Sequence, residues 1–83
     1  MAVKVLGTGP VLYRVFVQDV GRTGYSGMRD CKASSPQEAI RLLLEFQHER
    51  PGEWKYIAIP HSRRDLWPNG QTGAVTKEAL NYA

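Results

Sequence analysis

The chain has 83 residues, 42% of them hydrophobic and 23% charged, with a formal net charge of +3. This composition indicates one globular domain, 1–83. It leaves little room for a deep catalytic cleft, because a chain of this size buries only about 60–65% of the surface its unfolded form exposes. No apolar run approaches the ~18 residues a membrane span needs, no secretory hydrophobic region opens the chain, and Cys31 stands alone; a cytoplasmic protein without membrane partner or disulfide is expected.

Residues 2–6 read as a short strand, interrupted by Gly7-Thr8-Gly9-Pro10. The run 11–20, rich in valine and aromatics, predicts a strand with Val11, Tyr13, Val15 and Val17 on one face. Leu12, Arg14, Phe16, Gln18 and Val20 take the other face, so both faces carry apolar residues and neither is fully wet. Gly21 to Gly27 suit a loose hairpin loop, and 28–33 its more polar return strand.

Ser35-Pro36-Gln37-Glu38 is a helix-start signal. The Ser35 hydroxyl accepts from the Glu38 N–H, Glu38 reaches back to the Ser35 N–H, and Pro36 falls where a missing N–H costs nothing. The helix runs to Glu49 and stops at Pro51-Gly52. Ala39, Ile40, Leu42, Leu43, Leu44 and Phe46 sweep an apolar arc of roughly 200°. That is wider than one flat sheet face covers, so a twisted sheet, a flanking segment or a second copy in a homodimer must complete it.

Residues 54–60 predict the next strand. His61 to Gly73 form a long connection with a turn at Pro68-Asn69-Gly70, across which Leu66-Trp67 and Gln71-Thr72 are expected to pair. Thr76 caps a short closing helix that presents Ala79, Leu80 and Ala83 to the core. The expected fold is α+β: a small antiparallel sheet of three to five strands packed against one main helix, in the order β-β-α-β with a short C-terminal element.

Charge is unevenly spread. Residues 34–53 hold four glutamates against Arg41 and Arg50, whereas the remainder holds nine basic residues against Asp19, Asp30, Asp65 and Glu78. An acidic helix region beside a basic remainder can orient the molecule on an anionic partner.

Four sets of residues are candidates for a site. In the 61–67 loop, His61, Arg63, Arg64 and Trp67 combine cations with an aromatic, which suits phosphate contacts and stacking. The 21–27 loop offers Arg22 and Tyr25; it is no nucleotide-binding P-loop, because a strand rather than a helix follows it. Leu12, Arg14 and Phe16 are expected to share a sheet face with Trp54 and Tyr56, chemically akin to an RNA-stacking sheet but without that family's aromatic-glycine motif. His61, Ser62 and Asp65 carry the letters of a catalytic triad, yet lie within five residues of one another, whereas working triads are assembled from separated segments. His48, Cys31 and the remaining acidic residues match no zinc or paired-carboxylate pattern. No metal, cofactor or catalytic residue is therefore expected.

In size and layout the chain is similar to small phage-encoded inhibitors of bacterial defence, including some anti-CRISPR proteins. The similarity implies a non-catalytic module that blocks a nucleic-acid-handling machine through surface charge. A basic inhibitor of this kind meets acidic protein patches or guide RNA. The expected function is thus a binding module for a protein or nucleoprotein partner, with Arg63, Arg64, Trp67, His61, Arg22 and Tyr25 on its working surface. The alternatives are direct RNA or DNA binding and, in another class, a small enzyme or enzyme subunit using His61.

Overall fold

The computed structural model describes residues 5–18, 21–47 and 54–83. Three strands and one helix follow in the order β1 (Val11–Gln18), β2 (Ser26–Ala33), α1 (Pro36–Gln47) and β3 (Lys55–Pro60). Two 3₁₀ segments, His61–Leu66 and Ala79–Tyr82, close the chain. The expected α+β layout is present: a three-stranded antiparallel sheet, order β2-β1-β3, under one main helix. β2 and β3 both run antiparallel to β1, so α1 carries the chain across β1 from one edge of the sheet to the other.

Of the first predicted strand, residues 2–4 lie outside the described residues. Leu6 forms an isolated parallel bridge to Cys31, and the Leu6 and Gly9 amides bond to β2 carbonyls. A glycine-interrupted stretch gains too few consecutive hydrogen bonds to build a full strand.

The alternation in β1 sorts side chains as its sequence predicts. Tyr13, Val15 and Val17 face α1 together with Cys31, Ala33, Tyr56 and Ala58, against Ala39 and Leu43 from the helix. Phe16 faces the other way, with Ile57 and Ile59. Here one expectation fails. Tyr56 pairs with Val17, and Trp54 packs into the helix-side cluster, so neither aromatic shares a face with Arg14 and Phe16. The β1–β3 register, which strand composition does not specify, is shifted by one residue from the assumed one, and a one-residue slip exchanges the faces.

The helix start takes the expected form with one change of partner. Glu38 N–H donates to Ser35 Oγ at 3.1 Å, but the Glu38 carboxylate accepts from the Ser34 N–H at 2.8 Å rather than from Ser35. The expected end at Glu49 and the Pro51-Gly52 stop, like His48, fall outside the described residues. The wide apolar arc is covered unevenly. The Leu6–Gly9 segment shields one flank, where a methyl group on Gly7 would come within 2.7 Å of Leu42 Cδ1. Phe46, one turn further along the same flank, stays 51% exposed under the Arg29 guanidinium, 4.5 Å from its ring centroid.

The second face of the sheet is closed by the C-terminal segment. Leu66 and Ala79 are buried on Phe16, Tyr25, Ile57 and Ile59, with Trp67, Val75 and Tyr82 packed around them. Thr76 Oγ1 accepts from the Ala79 N–H at 3.2 Å, the expected cap. Leu80 and Ala83, expected in the core, are exposed instead, and Tyr82 takes their place. A 3₁₀ segment has three residues per turn, so Ala79 and Tyr82 share a side. The expected pairing of Leu66-Trp67 with Gln71-Thr72 does not form. Asn69 closes the turn instead: its backbone bonds to Gly73 and Ala74, and its side-chain oxygen accepts from the Gln71 and Thr72 amides.

Candidate functional site

The polar residues of the second face form one cluster. Register places Arg14 opposite Asp30 on β2, and Arg14 Nε donates to Asp30 Oδ1 at 2.8 Å with Nη2 on Oδ2 at 3.3 Å. His61 begins where β3 ends, and its Nε2 lies 3.1 Å from the same Oδ1. The paired Arg14 guanidinium, aided by His61, holds the Asp30 carboxyl below the usual range against a desolvation that would raise it. Asp30 in turn raises the Arg14 pKa.

Trp67 sits over this network. Arg14 lies 4.7 Å from its ring centroid and Arg64 5.4 Å, while the His61 and Phe16 rings meet it edge-on at 5.1 and 5.6 Å. Two cations and two ring edges therefore occupy the indole. Its N–H is enclosed without an acceptor among the described residues, an omission that typically costs about 1–3 kcal/mol.

The expected site residues thus divide. His61 turns inward onto Asp30. Arg63 is held by Asp65 at 3.0 Å and Glu78 at 3.1 Å, which together raise its pKa. It pins the 3₁₀ segment to the C-terminal segment. Arg64 is exposed and makes no ion pair among the described residues. Tyr25 is buried in the second cluster, where burial raises its hydroxyl pKa. Arg22 is exposed at the tip of its loop.

The 21–27 loop meets the turn 68–73 in a way the sequence does not announce. Tyr25 N–H donates to the Gly73 carbonyl at 2.9 Å, which locks the 21–27 loop against the turn 68–73. Both contact positions are glycines of necessity. A Cβ on Gly24 would strike the Thr72 carbonyl oxygen. A Cβ on Gly73, whose φ is +73°, would come 2.6 Å from the Tyr25 nitrogen. Between the loops lies an open groove of about 670 Å³, lined by residues 22–27 and 68–73 with Arg14 and Phe16 beneath. Its described lining includes two arginines and no carboxylate. Sequence reasoning offered Arg14 only as part of a stacking sheet face and left it off the expected working surface, and it missed the 68–73 turn as a site element. The Pro68-Asn69-Gly70 signal was legible as a turn, but its docking on Gly24 was not.

The letters of the expected triad are not brought together. The carboxylate partner of His61 is Asp30, not Asp65, and Ser62 makes no hydrogen bond to it among the described residues. Cys31 is fully buried on the helix side, and burial pushes its thiol up to about 11. Among the described residues no group of three His, Cys, Asp or Glu side chains could hold a metal ion, and no helix is long and apolar enough to cross a membrane. No protein family, curated protein or solved structure matches the chain.

Proposed function

We propose that this protein is a non-catalytic binding module whose working surface is the groove between residues 22–27 and 68–73, extended past Arg14 to the Arg64–Trp67 rim. One observation carries the reading: two loops almost fifty residues apart are locked backbone to backbone by Gly24 and Gly73 into a preformed, cation-lined concavity. A preformed site avoids the ordering cost that a flexible loop incurs on binding. A groove of this volume lies within the range of small-ligand and short-segment sites, about 300–1,000 Å³. The likeness of size and layout to phage-encoded inhibitors fits this reading, since a blocking module needs a shaped surface and no chemistry.

The test is affinity capture from host lysate, with and without nuclease, using the native chain and the double variant Arg22→Glu/Arg64→Glu. Both arginines are exposed, so the variant should fold. The expected result is a partner retained after nuclease treatment and lost with the variant. Capture abolished by nuclease would favour direct nucleic-acid binding, and capture indifferent to the variant would move the working surface elsewhere.

A further inference from the structure

We infer that Asn69-Gly70 is a spontaneous deamidation site: the folded turn closes the Asn69 carboxamide onto the Gly70 nitrogen, releases ammonia and leaves aspartate or isoaspartate at position 69. The chemistry needs no partner; its effect on partner capture rests on the binding-module reading above.

Three observations place the reacting groups. First, the nucleophile is free. Gly70 is exposed, its N–H donates to no acceptor among the described residues, and a Cβ built on it would meet nothing within 4 Å. With no side chain of its own, Gly70 does not hinder the approach of its nitrogen. Second, the electrophile is polarised. Asn69 Oδ1 accepts from the Gln71 N–H at 2.8 Å and from the Thr72 N–H at 3.0 Å. Only an oxygen accepts from such donors, so these bonds fix which way the carboxamide points. They fold the side chain forward over the Gly70 peptide. They also act as a two-donor oxyanion hole for the charge that develops on Oδ1 as the nitrogen adds to Cγ. Third, the frame is held. Asn69 N–H donates to the Ala74 carbonyl at 3.0 Å, and the Asn69 carbonyl accepts from the Gly73 N–H at 2.7 Å. Ring closure therefore does not wait on ordering of the turn. Asn81, the other asparagine of the chain, differs: Tyr82 follows it in a 3₁₀ segment, and its carboxamide accepts no hydrogen bond among the described residues.

The step balances with water alone. Gly70 gives up its amide proton, its nitrogen bonds to Cγ, and the carboxamide nitrogen leaves as ammonia. Water then opens the succinimide at either carbonyl. Opening at the main-chain carbonyl leaves a chain that runs through Cβ and Cγ and is one carbon longer. The two Asn69 oxygens that close the turn exchange roles in that product. The 68–73 turn then loses its fit to Gly24 and Tyr25, and the groove is unlocked with age.

The experiment ages the native chain and Gly70→Ala in heavy-oxygen water at mildly alkaline pH, both folded and unfolded in urea. The alanine methyl has open space and a compatible φ, so that variant should fold alike. Peptide mass mapping reads the label at each asparagine, and isoaspartyl methyltransferase counts the rearranged product. The folded native chain should take up label at Asn69 at least as fast as the unfolded chain, chiefly as isoaspartate, with Asn81 unlabelled. Gly70→Ala should be about tenfold slower, because its methyl group hinders the attacking nitrogen. Slower labelling in the folded than in the unfolded chain would show that the turn shields Asn69 and would overturn the inference. Equal rates in the native chain and Gly70→Ala would overturn it too. In the aged protein the amide resonances of Gly24, Tyr25 and Gly73 should move while those of α1 stay; unmoved loop resonances would remove the unlocking. If the loops unlock and lysate capture persists, the inference stands and the groove fails as the working surface.

Discussion

The helix side of the sheet is closed by twelve residues of α1 packed against a mainly aliphatic floor, whereas the opposite side is closed by irregular chain between residues 61 and 83. A helix brings an apolar stripe at regular spacing, so it can seal a face by side-chain contact alone. Irregular chain cannot present such a stripe. It is tied down here by specific links: Arg63 to Asp65 and Glu78, His61 to Asp30, and the Tyr25 amide to Gly73. Between those links it leaves a groove. The face closed by polar and backbone anchors is therefore the one that retains a shaped, charged surface.

If the helix side depends on close packing, Leu43→Ala should cost about 2–5 kcal/mol, because Leu43 is wholly buried and its removal leaves a cavity. Urea unfolding would measure it, and a loss under 1 kcal/mol would mean the two faces are not closed differently. On the groove side the sensitive position is a glycine. Gly73→Ala should cost about 2 kcal/mol through its positive φ and the Tyr25 contact. Gly70→Ala, three residues away in open space, should stay within about 0.5 kcal/mol. Similar melting shifts for the two would disprove the backbone lock. Ser35→Ala should lower stability by about 1 kcal/mol through loss of the Glu38 cap bond, readable as a thermal shift.

The smallest expected effect is in pH dependence. The Asp30 carboxyl has a lowered folded pKa, chiefly through Arg14. Its contribution is therefore full above the ordinary carboxylate value, about 4, and is lost as pH falls from there through the folded value. Arg14 is 38% exposed at its side chain, so solvent screening limits the effect to on the order of 1 kcal/mol or less. Asp30→Asn should flatten the acid side of the stability profile, and an unchanged profile would remove the network from the account of the second face.

Much of the framework was readable along the chain. The faces of β1, the start of α1 at Ser35 and Pro36, the Thr76 cap and the burial of Ala79 all follow from interactions within four residues or from strand alternation. The failures are equally specific. Trp54 and Tyr56 were placed on the wrong face because their register to β1 depends on pairing between distant strands. Leu80 was expected inside because a segment this short has too few turns to reveal its period. Arg63 looked like a contact residue, since nothing local shows that Glu78, fifteen positions on, would reach it.

By itself the sequence determined the element order, the α+β class and the separation of an acidic helix from a basic remainder, because periodicity, capping and charge are local properties of the chain. Only the tertiary structure decided which cations are consumed and which surface is left. Arg14 meets Asp30 sixteen residues away, His61 meets it across thirty-one, and Gly24 meets Gly73 from a remote part of the sequence. Such encounters depend on how the sheet's second face is covered. That covering rests on close backbone approach and ion pairing between remote segments, which leave no periodic trace in the sequence.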